Sequence, residues 1–444
     1  MKRVLMLSLA VAVAFPAAAQ NQDPKKPEQG VGGGGPAAFP PFKVDQVKVD
    51  KAIRQGIAYL QKGNHTARFE HAGRQMQHTE LVAWTYCHAG VSENDPSFTP
   101  LLKDMLDRKL EATYCVALQA MVLEEIQRVT YQNRIWQCAQ FLVDNQSADG
   151  FWGYGDPSIY VEDVPSSAPR KDVESGGGGR AGAQKDALMA PGMRSKPPVK
   201  SHKKVEKKRD GNPNDQSNSQ YAALGLRACH DAGIDLPAAV IDKAIAWWKG
   251  TQKASEGPAM KLEFRDANGK PTQGAARGAS AVMEEVSAEP QGWCYGKHEH
   301  KAYGSMTAGA VGTLAIYDYI KDNDGGKKKT WRRDKDVHEG IAWLAKNFSV
   351  TYNPGPYEHA AFAENSQNQY FYYLYALERA GMLYGTETMG NKEWYPEGAK
   401  VLCDIQKADG SWGDGVRDTC FAILFLKRAT RPLDVATTSA GAGK

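Results

Sequence analysis

Gln406-Lys407-Ala408-Asp409-Gly410-Ser411-Trp412-Gly413 stands between two apolar helical runs, Val401–Ile405 and Asp418–Leu426. The unit has an earlier copy. Phe141 and Leu142 lead into Gln146-Ser147-Ala148-Asp149-Gly150-Phe151-Trp152-Gly153, and a partial copy, Gln291-Gly292-Trp293-Cys294-Tyr295-Gly296, lies between them. A helix, a Gly/Trp turn and a second helix, repeated along the chain, predict a protein built from helical pairs.

Apolar spacings of three and four extend the pattern in both directions. Pair one is Val49–Leu60 with Glu80–Ala89, and pair two is Phe98–Leu110 with Thr113–Ile126. Pair three is Tyr131–Val143 with Ser219–Ala232, and pair four Ala238–Lys249 with Met306–Ile320. Pair five is Asp336–Phe348 with Gln369–Met382, and pair six is Val401–Ile405 with Asp418–Leu426. Six pairs let helices close into a ring. The second helices, rich in Ala, Gly, Leu and aromatics, suit its inside, and the more charged first helices its outside.

Composition sets the frame. Hydrophobic residues are 42% and charged residues 24%, as in a globular protein, and a net charge of +4 does not by itself imply nucleic acid. After the N-terminus no apolar run reaches the roughly 18 residues of a membrane span. Lys2 and Arg3, the apolar Val4–Phe15 and the small Ala17-Ala18-Ala19 read as a signal peptide over residues 1–19, so the mature chain is expected to be exported to a periplasm or beyond. Residues 20–46 read as a disordered Gly/Pro linker, residues 47–430 as the helical domain, and residues 431–444 as a disordered tail. Within the domain, residues 156–216 form a low-complexity insertion with the basic run Lys200–Arg209, read as disordered: a solvated loop, or a tether for an anionic polymer or membrane surface. Seven scattered cysteines with no Cys-x-x-Cys pair signal neither a disulfide framework nor a zinc knuckle.

The Gln-x-x-Asp-Gly-x-Trp-Gly turns at Gln146–Gly153 and Gln406–Gly413 resemble the QW-type repeats of the squalene-hopene cyclase and protein prenyltransferase superfamily. The resemblance covers residues 47–430 and implies an all-α fold, an (α/α)6 toroid of six helical hairpins, in which the Gln and Trp brace neighbouring outer helices. The chemistry of that superfamily is not carried over whole. There is no Asp-x-Asp-Asp acid, and Asp418 and Cys420 have the spacing of a zinc-binding Asp-x-Cys without a later His. The chain therefore reads as a divergent member.

Parallel inner helices would bring their starts to one mouth, where their partial positive ends converge. Glu80 and Asp418 are the candidate catalytic carboxyls there, able to serve general acid chemistry if burial raises a pKa. His78, Tyr114, Asn218, Gln220, Tyr221, Asn368, Tyr370 and Cys420 are the candidate ligand-pocket residues. Asn218, Asn368 and Asp418 are equally the residue types of helix N-caps. Cys294, His298 and His300 form a Cys-x3-His-x-His cluster whose thiolate and imidazoles suit zinc or copper, or else a solvated loop. No cofactor is expected. Three functional classes follow: a binding toroid for a small molecule, glycan or protein; a terpene-cyclase-like intramolecular transferase; and a polysaccharide-processing lyase or hydrolase.

Overall fold

The computed structural model describes residues 43–71, 74–157, 196–212, 216–266, 269, 271, 286–295, 301–322, 328–355 and 369–433. The stretch read as a signal peptide, most of that read as a linker, residues 158–195 and 213–215 of the expected insertion, and residues 434–444 of the expected tail lie outside them. The described residues belong to one unit, Phe39–Lys444, and are mostly helical: 54% helix and 8% strand.

Twelve α-helices occur among the described residues: α1 Gln46–Leu60, α2 Thr79–Ala89, α3 Thr99–Asp107, α4 Thr113–Gln127, α5 Gln132–Asp144, α6 Gln216–Asp231, α7 Ala238–Gly250, α8 Gly304–Asp322, α9 Lys335–Lys346, α10 Tyr370–Tyr384, α11 Trp394–Ile405 and α12 Val416–Leu426. The expected linker ends earlier than read, because Asp45 caps α1 by accepting from the Lys48 N–H at 3.0 Å. Among the described residues strands are confined to short pairs in the connections, such as the hairpin Arg68–His71 with Arg74–Gln77.

Burial separates the helices into two kinds. In α1 only Val49, Ala52, Ile53, Gly56 and Leu60 are buried, a single stripe at helical spacing. In α10 every residue but one, from Tyr370 to Tyr384, is buried, and α8 and α12 are buried nearly all round. Such helices need neighbours on every side. They have them: α2 packs on α4, α4 on α6, α6 on α8, α8 on α10, α10 on α12, and α12 on α2. Each odd-numbered helix packs outside this series, and α1 packs on both α11 and α12.

Helices α4 and α6 run the same way, because start meets start and end meets end. Tyr114 at the start of α4 meets Tyr221 at the start of α6, with ring centroids 4.4 Å apart. At the other end Arg128, just past α4, donates to the Asp231 carbonyl that closes α6, at 3.1 Å.

The two Gln/Trp turns are built alike. Trp152 Nε1 donates to Leu142 O at 2.7 Å and Trp412 Nε1 to Leu402 O at 2.8 Å, each back onto the helix before its own turn. Gln146 Nε2 reaches Val240 O of α7 at 2.7 Å, and Gln406 Nε2 reaches Ala52 O of α1 at 2.9 Å. Thus each glutamine ties its turn to the next odd-numbered helix. For the last turn, that helix is α1, the first among the described residues. Gly150 and Gly410 have φ of +101° and +91°, and a Cβ would lie 2.3 Å from Lys243 O or 2.4 Å from Gln55 O. Positive φ and a facing carbonyl together require glycine at both positions.

The basic insertion is corrected in part. Residues 196–212 are not a free tether; they lie across α5. Lys203–Lys204 pair in parallel with Ile234–Asp235, Trp136 Nε1 donates to Lys204 O at 2.7 Å, and Lys207 Nζ donates to Val143 O at 3.1 Å and Gln146 O at 2.5 Å. The lysine ammonium neutralises carbonyls left open at the α5 C-terminus, a place where helix dipoles favour cations.

Candidate functional site

Glu80 sits in the first turn of α2 and is 2% exposed. Gln77 Nε2 donates to both of its carboxyl oxygens, at 2.8 and 3.0 Å, and Arg108 Nη1 stands 3.8 Å away. Burial pushes its pKa up to about 7, against the Gln77 hydrogen bonds and the Arg108 charge, which pull it down. Asp418, in the first turn of α12, is equally buried. It accepts from the Asp414 N–H at 2.9 Å and from Arg417 Nε at 3.2 Å. Both carboxyls are thus engaged within their own loops. His78, the residue before α2, has its pKa lowered to about 4 by burial and by the nearby His65 and Arg417 charges, so it is neutral at pH 7.

Inward from these starts the even-numbered helices enclose a polar-aromatic cluster. Arg379 of α10 is 2% exposed. Its guanidinium lies 4.4 Å from the Tyr375 ring centroid, 5.6 Å from Tyr221 and 5.8 Å from Tyr372. Arg379 Nη2 donates to Gln220 Oε1 at 3.3 Å, and the Tyr372 hydroxyl donates to the same oxygen at 2.7 Å. Gln220 fits because its neighbour on α8 is Gly309, where a Cβ would lie 1.9 Å from the Gln220 amide carbon. Trp84 Nε1 donates to the Tyr375 hydroxyl at 3.0 Å, and Phe421 stacks on Tyr375 at 5.9 Å. Contributions from α2, α6, α8, α10 and α12 therefore meet around one buried cation. Three ring faces stabilise it through their negative quadrupoles.

At the opposite end, where α2, α4 and α6 finish, a cleft of about 50 Å³ opens. Glu124, Glu125 and Lys196 line it beside Arg227, Asp231 and Arg431, over an apolar floor that includes Trp84 and Leu224. Lys196 Nζ bridges Glu124 at 2.5 Å and Glu125 at 2.7 Å.

Of the expected pocket residues, Tyr114, Gln220 and Tyr221 meet in or beside the Arg379 cluster. Asn218 and Cys420 are buried in their helices. Burial pushes the Cys420 thiol up to about 12, so it is a neutral thiol and a poor metal ligand at pH 7. The Tyr370 hydroxyl donates to Val350 O at 2.6 Å, away from the cluster. Asn368, His298 and His300 lie outside the described residues, and Cys294 is fully buried. Among the described residues no three His, Cys, Asp or Glu side chains are grouped to hold a metal, and no helix is long and apolar enough to cross a membrane.

Sequence reasoning missed Arg379 and the cleft. The Glu378-Arg379 pair inside an otherwise apolar helix was the available signal. Glu378 accepts from the Thr430 N–H at 2.9 Å and the Thr430 hydroxyl at 2.6 Å, and burial pushes its pKa up to about 7.

A pH dependence follows from Glu80 and Glu378. Each holds its proton more tightly folded than unfolded, so each contributes fully below about pH 4.5. That contribution is lost as pH rises toward 7. Glu378→Gln is expected to flatten the fall in unfolding free energy between pH 5 and 7.5 by on the order of 1–3 kcal/mol, read by urea titration at the two pH values. An unchanged slope would show that Glu378 titrates normally.

The chain matches no protein-family profile and no curated protein sequence.

Proposed function

We propose that the chain is an exported (α/α)6 toroid of the squalene-cyclase and prenyltransferase repeat type that binds a partner and does not turn over a substrate. Supporting the ring is the packing series of the even-numbered helices, which returns from α12 to α2, with the odd-numbered helices outside. Supporting export are Lys2-Arg3, the apolar Val4–Phe15 and Ala17–Ala19.

The observation that carries the binding reading is the Arg379 cluster. A cyclase or prenyltransferase of this architecture would place its substrate at the centre of the ring, and here that place is taken by Arg379, Gln220, Tyr221, Tyr372, Tyr375 and Phe421. A buried arginine is also the wrong sign to stabilise a carbocation. The carboxyls nearest the helix starts, Glu80 and Asp418, are committed to Gln77 and to Asp414 and Arg417.

The binding face in this reading is the end carrying the long connections into α6, α8 and α10, residues 145–215, 251–303 and 347–369. Those leading out of even-numbered helices are shorter, as at 128–131 and 232–237. Repeat proteins use the face on which insertions collect.

Incubation of the full chain with squalene, geranylgeranyl diphosphate or a polyuronate, followed by mass spectrometry, is expected to return each unchanged. A cyclised, transferred or cleaved product that disappears in Asp418→Asn or Glu80→Gln would replace this reading with an enzymatic one.

A further inference from the structure

The end where α4, α6, α8 and α10 finish lies away from the proposed binding face. The four ends adjoin in turn. Arg128, just past α4, meets the Asp231 carbonyl that closes α6 at 3.1 Å. The Tyr319 hydroxyl of α8 donates to Asp231 Oδ1 at 2.8 Å. Arg332, in the turn after α8, donates through Nε to Tyr384 O at the end of α10 at 2.9 Å. Residues 196–204 lie along the first two of these ends. Gln132 Nε2 donates to Ser201 O at 2.7 Å and to Ala232 O at 2.8 Å, and the Lys203 N–H donates to Gly233 O at 3.0 Å.

Two features of this surface go beyond what the fold requires. The first is apolar. Val129 is 47% exposed, and Arg128 Nε donates to Pro197 O at 2.8 Å, which sets it beside the exposed Pro197 and Pro198. The second is charge. Glu124 and Glu125 are paired with Lys196, Asp231 with Arg227, Asp242 with Lys321, and Asp334 with Lys249. Asp235 meets His202 at 3.0 Å, and Asp322 accepts from Thr330 Oγ1 at 2.7 Å. Lys200, Lys204, Lys328 and Arg333 stand exposed in addition to these pairs. None of the four belongs to the last turn of an α-helix, so offsetting a helix dipole does not account for them. The connection from α2 to α3 carries Glu93 and Asp95 instead, so the basic surface is the arc from α4 to α10.

We propose that this end seats the protein on the surface of an anionic lipid bilayer. Val129, Pro197 and Pro198 enter the headgroup layer, and Lys200, Lys204, Lys328 and Arg333 meet lipid phosphates. An interfacial lipid surface rewards both features at once, burying apolar groups to a shallow depth and attracting cations to its negative potential. An anionic polymer in solution would use the lysines and arginine but gain nothing from an exposed valine beside two prolines. Because residues 196–204 are held against α5 and α6, their lysines form a fixed part of the surface. The proposed binding face, at the other end of the same helices, then points away from the bilayer.

The test is vesicle co-sedimentation with the chain from Gln20. That chain keeps the whole unit Phe39–Lys444 and lacks Val4–Phe15, an apolar stretch that would bind lipid by itself. Vesicles of phosphatidylcholine mixed with phosphatidylglycerol are expected to bind it, and vesicles of phosphatidylcholine alone to bind roughly tenfold more weakly or less. Added salt is expected to release it. One cation at such a surface is worth about fivefold in affinity, so the double variant Lys200→Glu, Arg333→Glu is expected to lose about tenfold or more. Val129→Asp is expected to weaken binding as well, and Lys301→Glu, an exposed position beside the start of α8, to leave it unchanged. Each variant's thermal melt is recorded, and Lys200→Glu alone carries the test if the double variant unfolds. No binding to the mixed vesicles, equal binding to both vesicle types, a folded double variant that binds normally, or an equal loss from Lys301→Glu would each overturn the assignment. So would retention of a soluble polyuronate without retention of vesicles, which would make the partner a polymer.

Discussion

Trp412→Ala is expected to lower the free energy of unfolding by about 3–5 kcal/mol, the range for deleting a large buried aromatic. The indole is fully buried. It joins three helices: its Nε1 bonds Leu402 O of α11, its backbone N–H donates to Thr419 Oγ1 of α12 at 3.0 Å, and its ring lies on Gly56 of α1, where a Cβ would come within 2.7 Å. Shortening the side chain empties the space between α1, α11 and α12. Collapse into that space is limited because Gly410 sits against Gln55 O and Gln406 holds Ala52 O. Urea unfolding followed by circular dichroism measures the loss. A change below about 1 kcal/mol would mean that the turn is peripheral and that the pinning of α1 rests elsewhere.

Arg379→Ala is expected to cost about 2–4 kcal/mol by the same measurement. Truncation removes on the order of 100 Å³ of side chain from a packed interior, worth about 2–3 kcal/mol at roughly 24 cal/mol per Å³ of residual cavity. Loss of the contacts to the Tyr221, Tyr372 and Tyr375 faces adds to this, and so does leaving Gln220 Oε1 with Tyr372 alone. Against these stands the relief of returning a buried guanidinium to no charge at all. Arg379→Met separates the two effects. Methionine refills most of the volume without the charge, so it is expected to recover a large part of the loss. If Arg379→Met is as damaging as Arg379→Ala, the charge and its hydrogen bonds hold the centre together, and volume is secondary.

The helical pairs were legible because their signals are local. A Gln-x-x-Asp-Gly-x-Trp-Gly turn specifies itself: glycine for a positive φ facing a carbonyl, tryptophan for a buried indole with one donor, glutamine for a carbonyl across a helix gap. The difference between a helix buried nearly all round and one with a single buried stripe was legible, since Tyr370–Tyr375 has no polar face while Val49–Leu60 has one. The basic run was not legible. Lys200–Arg209 has the composition of a solvated segment, and its partners are backbone carbonyls at Val143 and Gln146, which no composition reveals. The centre failed for a related reason. The aromatics were expected in the inner helices, but whether they line a cavity or close on one another depends on Arg379, which the sequence presents as one half of a Glu-Arg pair. The cleft brings Lys196, Glu124 and Arg431 together from three distant parts of the chain, a juxtaposition that only the fold creates.

A closed series requires α1 to be held by α11 and α12, so that neither α1 nor α12 is free to fray. Native-state hydrogen exchange measures this directly. If the series closes, amides of α1 over Gln46–Leu60 exchange with the same high opening free energy as those of α12, and Gln406→Ala or Trp412→Ala lowers both together. Exchange of α1 at the low cost of a fraying terminal helix, unaffected by either substitution, would contradict a closed ring and the solid centre that depends on it.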